Sequence, residues 1–203
     1  MTDHLLFVTH SEVVIDPDQA ITDWPLSAAG RARMVQFAQT LAAGPVPIVG
    51  VWSSDERKAR DGAEIIAAHI GLDPRVEQDL HENDRSATGY IAPPEFWEVV
   101  AQFFARPDES VRGWETARHA QARIVQSLER VLATETAPGL IVVVAHGGVG
   151  QLLTAYLQGV EIGQEDRPCN PGGGCWIAID RHDRRLAGPW RDIEDYGRDS
   201  APP

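Results

Sequence analysis

The sequence has few cysteines, no basic residue near its start and no long hydrophobic run. Its two cysteines, Cys169 and Cys175, flank a segment rich in Pro and Gly and form no metal-ligand pattern, which favours two reduced thiols over a disulfide. The first apolar run, residues 5–8, is far too short for a signal peptide or a membrane span. These absences predict a cytoplasmic protein that does not associate with membranes.

Positive charge is also scarce. The chain carries 30 acidic against 18 basic residues, a formal net charge of −12. Because such a balance disfavours contact with polyanions, nucleic acid and anionic membranes are not expected as partners. An anionic ligand would need a local positive pocket. The 203 residues fit one domain, and the sequence leaves a homodimer open.

Short apolar runs alternate with amphipathic stretches, which predicts a mainly parallel sheet with helices on both faces. Strands are expected at residues 5–8, 47–52, 140–145, 175–180 and, more weakly, 186–190; helices at 28–41, 53–69, 95–104, 114–134 and 147–157. Ser53 and Glu56 have the spacing of a capping box at the start of the second helix.

Two segments do not fit this alternation. Residues 73–113 are irregular and rich in Pro, Gly and charge, which indicates a cap over a site and not a sheet layer. The residues from Asp192 on are expected to form a disordered acidic tail. The domain is accordingly assigned to residues 1–195, with 196–203 outside it.

Polar residues follow three of the predicted strands: His10, the Ser-Ser-Asp-Glu at 53–56, and His146 with its two following glycines. Ligands collect at the carboxyl ends of parallel strands. One such histidine could be a satisfied capping or core group, but two at equivalent strand ends favour a shared site. A neutral imidazole can attack phosphorus, a protonated one can stabilise the phosphoryl oxygens, and Gly147 and Gly148 let backbone N–H groups approach an oxyanion.

Five stretches of the chain resemble the histidine phosphatase superfamily, which has the phosphoglycerate-mutase-like fold. The family motifs are Arg-His-Gly-Glu, Leu-Ser-x-x-Gly, Ser-Ser-Pro-Leu-x-Arg-Ala, a cap Glu and Ser-His-Gly-Gly. The matching stretches are Thr9-His10-Ser11-Glu12, Leu26-Ser27-Ala28-Ala29-Gly30, Ser53-Ser54-Asp55-Glu56-Arg57-Lys58-Ala59, Leu80-His81-Glu82 and Ala145-His146-Gly147-Gly148. Each stretch alone is weakly specific, but their order and spacing agree over most of the chain.

The resemblance implies an α/β three-layer sandwich, with a mainly parallel central sheet flanked by helices and a cap insertion. It also implies hydrolysis of a phosphomonoester through a phosphohistidine, with no metal or cofactor and a small phosphorylated substrate. His10 would be the nucleophile, His146 the second phosphate-binding histidine and Glu82 the general acid. Glu82 could instead be a solvated loop carboxylate, in which case Asp84 is the alternative acid.

The departures from the family pattern concern the phosphate-binding arginines. Thr9 stands where the family has the arginine before the nucleophile, and Lys58 stands where it has the second arginine. Arginine binds phosphate through a planar fork that neither replacement offers. Compensating contacts are predicted from Lys58 and from Arg85 in the cap.

Ser11, Arg57 and Gly147 complete the predicted phosphate-binding set. A surface salt bridge is favoured for Arg57 and for Arg112, another basic candidate. The resemblance places the loop of Asn170 near the phosphate, but the glycines that follow could equally form a flexible lead-in to a hairpin, so Asn170 is not assigned to the site. If nothing compensates, the protein would be a catalytically impaired relative that binds a phosphorylated ligand or a protein partner. A phosphomutase is the less favoured alternative.

Overall fold

The computed structural model describes residues 3–163 and 172–198. Within these residues one sheet has the strand order β3-β2-β4-β1-β5-β6. Strands β3, β2, β4 and β1 run parallel, β5 pairs antiparallel with β1, and β6 pairs antiparallel with β5. The strands are β1 (His4–Thr9), β2 (Ile48–Ser53), β3 (Arg75–Val76), β4 (Leu140–Ala145), β5 (Cys175–Asp180) and β6 (Arg191–Asp192). The helices are α1 (Ala28–Ala42), α2 (Arg57–Ile70), α3 (Glu95–Ala105), α4 (Ala117–Thr134) and α5 (Gly147–Gln158).

The central strands β1 and β4 are buried along their whole length, as their apolar sequences predict. Alternate side chains point to opposite faces, so Leu5 and Phe7 join one hydrophobic cluster and Leu6 and Val8 the other. Helices α3, α4 and α5 contribute to the first cluster, and α1 and α2 to the second. The predicted three-layer α/β sandwich is therefore confirmed. No helix in the described ranges is long and apolar enough to cross a membrane.

The predicted strand at residues 186–190 is wrong. Leu186 makes only an isolated bridge to Ile179, and the last strand of the sheet is β6, which pairs with β5. Gly188 and Pro189 explain the difference, because glycine weakens a strand and proline has no N–H to donate to a ladder.

The predicted acidic tail is wrong for the residues from Asp192 to Arg198. A 3-10 helix at Ile193–Asp195 follows β6, and Ile193 is buried. The Tyr196 ring packs edge-on against Phe37 and Trp176, at centroid distances of 5.4 and 5.2 Å. Apolar side chains within the acidic run therefore anchor it to the core, while residues 199–203 lie outside the described part.

The expected cap begins as part of the sheet, which corrects the prediction for residues 73–80. Strand β3 pairs in parallel with the end of β2. Arg75 lies 5.4 Å from the Trp52 ring centroid and pairs with the buried Glu135 at 2.8 Å. These contacts attach a short polar strand that carries no apolar pattern of its own. Helix α3 lies within the rest of the segment, as predicted.

Candidate active site

The parallel register of β1 and β4 brings the two histidines together. Thr9 pairs with Ala145, so the next residues, His10 and His146, leave the sheet side by side. Their ring centroids are 5.2 Å apart, with an interplanar angle of 65°. The sequence prediction that these two histidines share one location agrees with this geometry.

His10 is held in one tautomer. Its Nδ1 lies 2.9 Å from the carbonyl oxygen of Ser11, and since a carbonyl can only accept, Nδ1 carries the proton. The Nε2 atom therefore has a free lone pair. Burial, followed by the charge of Lys58, lowers the pKa of His10 from 6.5 to about 4. The imidazole is thus neutral and nucleophilic near neutral pH.

His146 is completely buried and only half satisfied. Its Nε2 lies 2.7 Å from Ser54 Oγ and 3.5 Å from Glu56 Oε1. Its Nδ1 is buried and has no hydrogen-bond partner in the described residues. Burial holds the pKa of His146 well below its ordinary value, against the opposing charge of Glu56. A buried ring nitrogen without a partner, beside a second imidazole, is a group that a ligand oxygen could satisfy.

Glu56 and Lys58 form a buried ion pair beside His146. Glu56 Oε2 accepts a hydrogen bond from Lys58 Nζ, and Glu56 Oε1 accepts one from the Glu82 backbone N–H at 2.8 Å. Lys58 also donates to the Ile21 carbonyl at 2.8 Å and is the only lysine of the chain. Burial opposes ionisation of Glu56, but the charge and hydrogen bond of Lys58 and the hydrogen bond from the Glu82 N–H outweigh it and hold the pKa of this carboxyl well below its usual range.

This arrangement corrects the predicted capping box. Helix α2 begins at Arg57, and its N-cap residue, Glu56, makes no side-chain capping hydrogen bond. Ser53 is the last residue of β2 and does not act as the cap. The carboxylate turns into the site because a buried cation and a backbone N–H are available there.

Glu82 lies at the N-terminus of α5. Its carboxylate accepts hydrogen bonds from the N–H groups of Gly148 at 2.9 Å, Val149 at 3.0 Å and Asn83 at 3.0 Å. A Cβ at position 148 would lie 2.6 Å from Glu82 Oε1, so this approach requires glycine. The N–H of Gly148, which the sequence analysis assigns to an oxyanion, is therefore taken by Glu82. Gly147 is the first residue of the helix.

Asp84, the alternative acid, is exposed and accepts a hydrogen bond from the Ser86 N–H at 2.8 Å. That bond lowers the pKa of Asp84. No contact with either site histidine is present for Asp84 among the described residues. The geometry therefore favours Glu82 over Asp84 as the carboxylate of the site.

Arg85 supplies a cation without an anionic partner in the described part of the chain. Its guanidinium carbon lies 5.4 Å from the Phe96 ring centroid and 5.7 Å from that of Trp114. After burial and the charge of Lys58, the charge of Arg85 also contributes to the lowered pKa of His10 and of His146. Stacking on two rings holds the side chain while its N–H donors stay available.

The loop that carries Glu82 is fixed by a second buried ion pair, which the sequence analysis missed. Arg123 of α4 donates to the carbonyls of Asp79 at 2.7 Å and His81 at 2.9 Å. Its guanidinium binds both carboxylate oxygens of Glu115 at 3.0 and 2.7 Å. Glu115 in turn accepts from the Asp84 N–H at 3.1 Å. The pair thus connects α4 to the backbone of residues 79–84.

Two hydroxyls that the sequence analysis assigns to phosphate binding already bind backbone. Thr9 Oγ1 accepts from the Cys175 N–H at 3.0 Å, which directs the side chain toward β5. Ser11 Oγ donates to the Gly30 carbonyl at 2.8 Å. Both side chains are buried, so the structure places them in the support of the strand end and not in an open pocket.

The other predicted basic residues have surface positions. The side chain of Arg57 is exposed and makes no hydrogen bond or ion pair with the described residues, so the salt bridge predicted for it is not formed there. Arg112 pairs with Glu95 at the surface, as predicted. Asn170 lies outside the described residues. Within the described ranges, no group of three or more His, Cys, Asp or Glu side chains is arranged to hold a metal ion.

Comparisons with known proteins identify the family and agree with the fold. The model of the histidine phosphatase superfamily (branch 1) matches residues 5–189. A mycobacterial glucosyl-3-phosphoglycerate phosphatase solved with inorganic phosphate aligns with a TM-score of 0.71 and 24% identity over 93% of this chain and 94% of that chain. YhfR of Bacillus stearothermophilus aligns with a TM-score of 0.73 and 17% identity, over 90% of this chain and 93% of that chain. Phosphoglycerate mutase from Bacillus anthracis aligns at 0.69 and 14% over 95% of both chains. These structures share the fold, and no curated protein matches significantly.

Proposed function

Since the chain belongs to the histidine phosphatase superfamily (branch 1), we propose that it hydrolyses a phosphomonoester through a covalent phosphohistidine at His10. The observation that carries this proposal is the state of His10. Its Nδ1–H is bound to the Ser11 carbonyl, so its Nε2 lone pair is free. The buried His146 stands beside it with an unpartnered ring nitrogen.

The reaction has two steps. His10 Nε2 attacks phosphorus, an N–P bond forms, and the bond from phosphorus to the ester oxygen breaks. Glu82 relays to the leaving alkoxide a proton that enters the site with the substrate. The Glu82 carboxylate then removes a proton from water, which attacks phosphorus, breaks the N–P bond and gives inorganic phosphate. The proton is released with the phosphate, so neutral His10 and the Glu82 carboxylate are restored.

Stabilisation of the phosphoryl oxygens is assigned to His146, Arg85 and Lys58. The unpartnered Nδ1 of His146 contacts one oxygen, and the guanidinium of Arg85 supplies the donors that Thr9 lacks. Lys58 acts as a nearby positive charge, although Glu56 shares it. The family's arginine pair is in this way replaced by groups on α2 and on the cap loop.

The substrate proposed is a small phosphorylated molecule of the cytoplasm. A second candidate is a catalytically impaired protein of the same fold that binds a phosphorylated ligand. The observation in its favour is that Lys58 is already paired with Glu56, which leaves less positive charge for a phosphoryl group. A phosphomutase would have to keep its phosphohistidine until a second acceptor arrives, and it ranks below both.

The test is turnover of a generic aryl phosphate in the presence of EDTA. Wild type and His69→Asn should both release phosphate, whereas His10→Asn should lose nearly all activity. His69 is a matched control, because its Nδ1 also lies 2.8 Å from a backbone carbonyl, that of Ile65, yet it sits far along α2.

Three results would contradict the proposal: activity lost to EDTA, activity that survives in His10→Asn, or no activity on a broad panel of phosphomonoesters. The intermediate itself can be tested by rapid quenching at alkaline pH, where a phosphohistidine survives, followed by mass spectrometry. A phosphoryl group on the peptide that contains His10 is the expected result.

A further inference from the structure

Glu56 is the most unusual group of the site. It replaces the leucine of the Ser-Ser-Pro-Leu-x-Arg-Ala motif, so an apolar position has become a buried carboxylate. It contacts three separate parts of the site: Lys58 Nζ, the backbone N–H of Glu82 and, at 3.5 Å, Nε2 of His146. A carboxylate this well buried must compensate for lost hydration, and each of these contacts contributes.

The first consequence of the Glu56 carboxylate concerns the net charge of the site. The described groups of the site are two cations, Lys58 and Arg85, and two carboxylates, Glu56 and Glu82. Glu56, Lys58 and Arg85 affect the pKa of His146, as does His10 from β1, and Glu82 binds the first turn of the helix that follows His146. With both histidines neutral these charges cancel, so a phosphoryl dianion would enter a low-dielectric site that offers it no net positive charge.

Its second consequence is on His146. A proton added at the unpartnered Nδ1 would leave Nε2–H to donate to Ser54 Oγ, with the Glu56 carboxylate 3.5 Å away to balance the imidazolium. The ring therefore has an anionic neighbour on one nitrogen and, on the other, a buried nitrogen without a partner in the described residues. That second nitrogen is the one that can carry the added proton.

We propose that Glu56 is a positioning residue that couples ligand binding to proton uptake: a phosphoryl group binds with one proton, shared between its oxygen and His146 Nδ1. The inference rests on the proposed function. The charge balance is the same whether the proton is counted on the phosphoryl group or on the imidazole. The substrate class that follows is a phosphomonoester taken up as the dianion plus one proton, or equally as the monoanion.

Isothermal titration calorimetry with inorganic phosphate tests the inference. At pH 8, where free phosphate is mostly a dianion, the binding heat is measured in buffers of different ionisation enthalpy, and the slope gives the protons taken up. Wild type should take up about one proton per phosphate. Glu56→Gln leaves Lys58 free to pair with the dianion, so uptake should fall below about half a proton in this variant.

Glu135→Gln is the matched control. Glu135 is another buried glutamate that accepts hydrogen bonds from a cation, Arg75, and from Trp52 Nε1, but it lies away from the histidines. Its variant should show the wild-type uptake. Unchanged uptake in Glu56→Gln would overturn the role of Glu56. Phosphate binding without uptake by wild type would overturn the coupling and leave the phosphatase proposal intact, whereas absence of phosphate binding to wild type would overturn both.

A second measurement needs no variant. If binding requires one proton, the constant for inhibition of wild type by inorganic phosphate should weaken by about tenfold per pH unit above the second pKa of phosphate. A constant that stays flat over that range would overturn the coupling, because a dianion would then be binding unaided.

Discussion

The site is built from two halves that are held in place in different ways. The sheet half comprises His10, Ser54 and His146. The backbone N–H of His10 donates to the Ala145 carbonyl at 3.0 Å and that of Ser54 to the Val144 carbonyl at 3.3 Å, so this half continues the hydrogen bonding of the central strands. It cannot move without breaking the core of the protein.

The loop half comprises Glu82 and Arg85 and depends on side chains from elsewhere. Arg123 and Glu115 hold the backbone of residues 79–84, and two aromatic rings hold Arg85. The proposed nucleophile thus stands at the end of a buried central strand, while the groups proposed to meet the leaving group and the phosphoryl oxygens stand on a loop that α4 supports. Substitutions can therefore change the loop half without disturbing the strand ends that carry the two histidines.

The largest expected effect is on the support of the loop half. Arg123→Met leaves the buried Glu115 carboxylate without its cation and removes the hydrogen bonds to Asp79 and His81. Loss of one partner of a buried pair costs about 3–5 kcal/mol. Urea denaturation should show this loss of unfolding free energy, and residual folded protein should have a lower kcat because Glu82 is less well placed.

Arg130→Met serves as the control on the same helix. Arg130 pairs with Glu77 and Asp79, but its side chain is 44% exposed. The change should cost less than about 1 kcal/mol. Equal losses in the two variants would show that Arg123 is only another surface residue.

The histidines of the sheet half should make the free energy of unfolding sensitive to acid. Because the folded pKa of His10 is about 4 and the ordinary value is 6.5, the unfolded chain binds a proton between these pH values that the folded protein does not. Stability should therefore fall as pH drops through this window, by up to about 3 kcal/mol from His10. His146 acts in the same direction.

Urea denaturation of wild type and His10→Asn at several pH values between neutral and 4 checks this expectation. The variant should lose less stability over the window than wild type. Parallel curves would mean that His10 titrates at its ordinary pKa, and the acid limb of kcat/KM would then lie near 6.5 instead of near 4.

Arg85→Ala should remove transition-state binding with little effect on the fold. We expect kcat/KM for an aryl phosphate to fall roughly thirtyfold, because a charged donor to the phosphoryl oxygens is lost. This factor corresponds to about 2 kcal/mol of transition-state stabilisation. Arg112→Ala, in an exposed pair of the same segment, should change kcat/KM little. A similar kcat/KM for Arg85→Ala and wild type would remove Arg85 from the site.

Thr9→Val should have the smallest effect. It removes the acceptor of the Cys175 N–H and should cost about 1 kcal/mol of unfolding free energy. Its kcat/KM should change less than that of Arg85→Ala. A larger kinetic loss from Thr9→Val would place the threonine hydroxyl among the phosphate contacts and would contradict its assignment to strand support.

The sheet half was predictable from sequence because its signals are local. A strand that is apolar on both faces and ends at a histidine identifies β1 and β4, and the parallel register then brings His10 and His146 together. The absence of a strand at residues 186–190 could have been read from Gly188 and Pro189. The anchored acidic segment near the end was not predictable, since Ile193 and Tyr196 have no local periodicity and Tyr196 finds its partners on α1 and β5.

The loop half shows where local patterns fail. Ser53 and Glu56 have capping-box spacing, yet the helix begins later and Glu56 binds Lys58, because a buried cation is a better partner for a carboxylate than a helix end. The Glu115–Arg123 pair joins α4 to a loop far away in sequence. Only the folded chain shows which of the many charged residues are buried together.

The single lysine of the chain gives the buried pair a practical meaning. Lys58 is 3% exposed, so the only ε-amine of the protein is closed to amine-reactive reagents while the site is intact. Acylation of the peptide that contains Lys58, read against the N-terminal amine, therefore reports how often this pocket opens. A bound phosphate should slow that labelling, so the acylation rate of this one side chain would report whether the site is occupied.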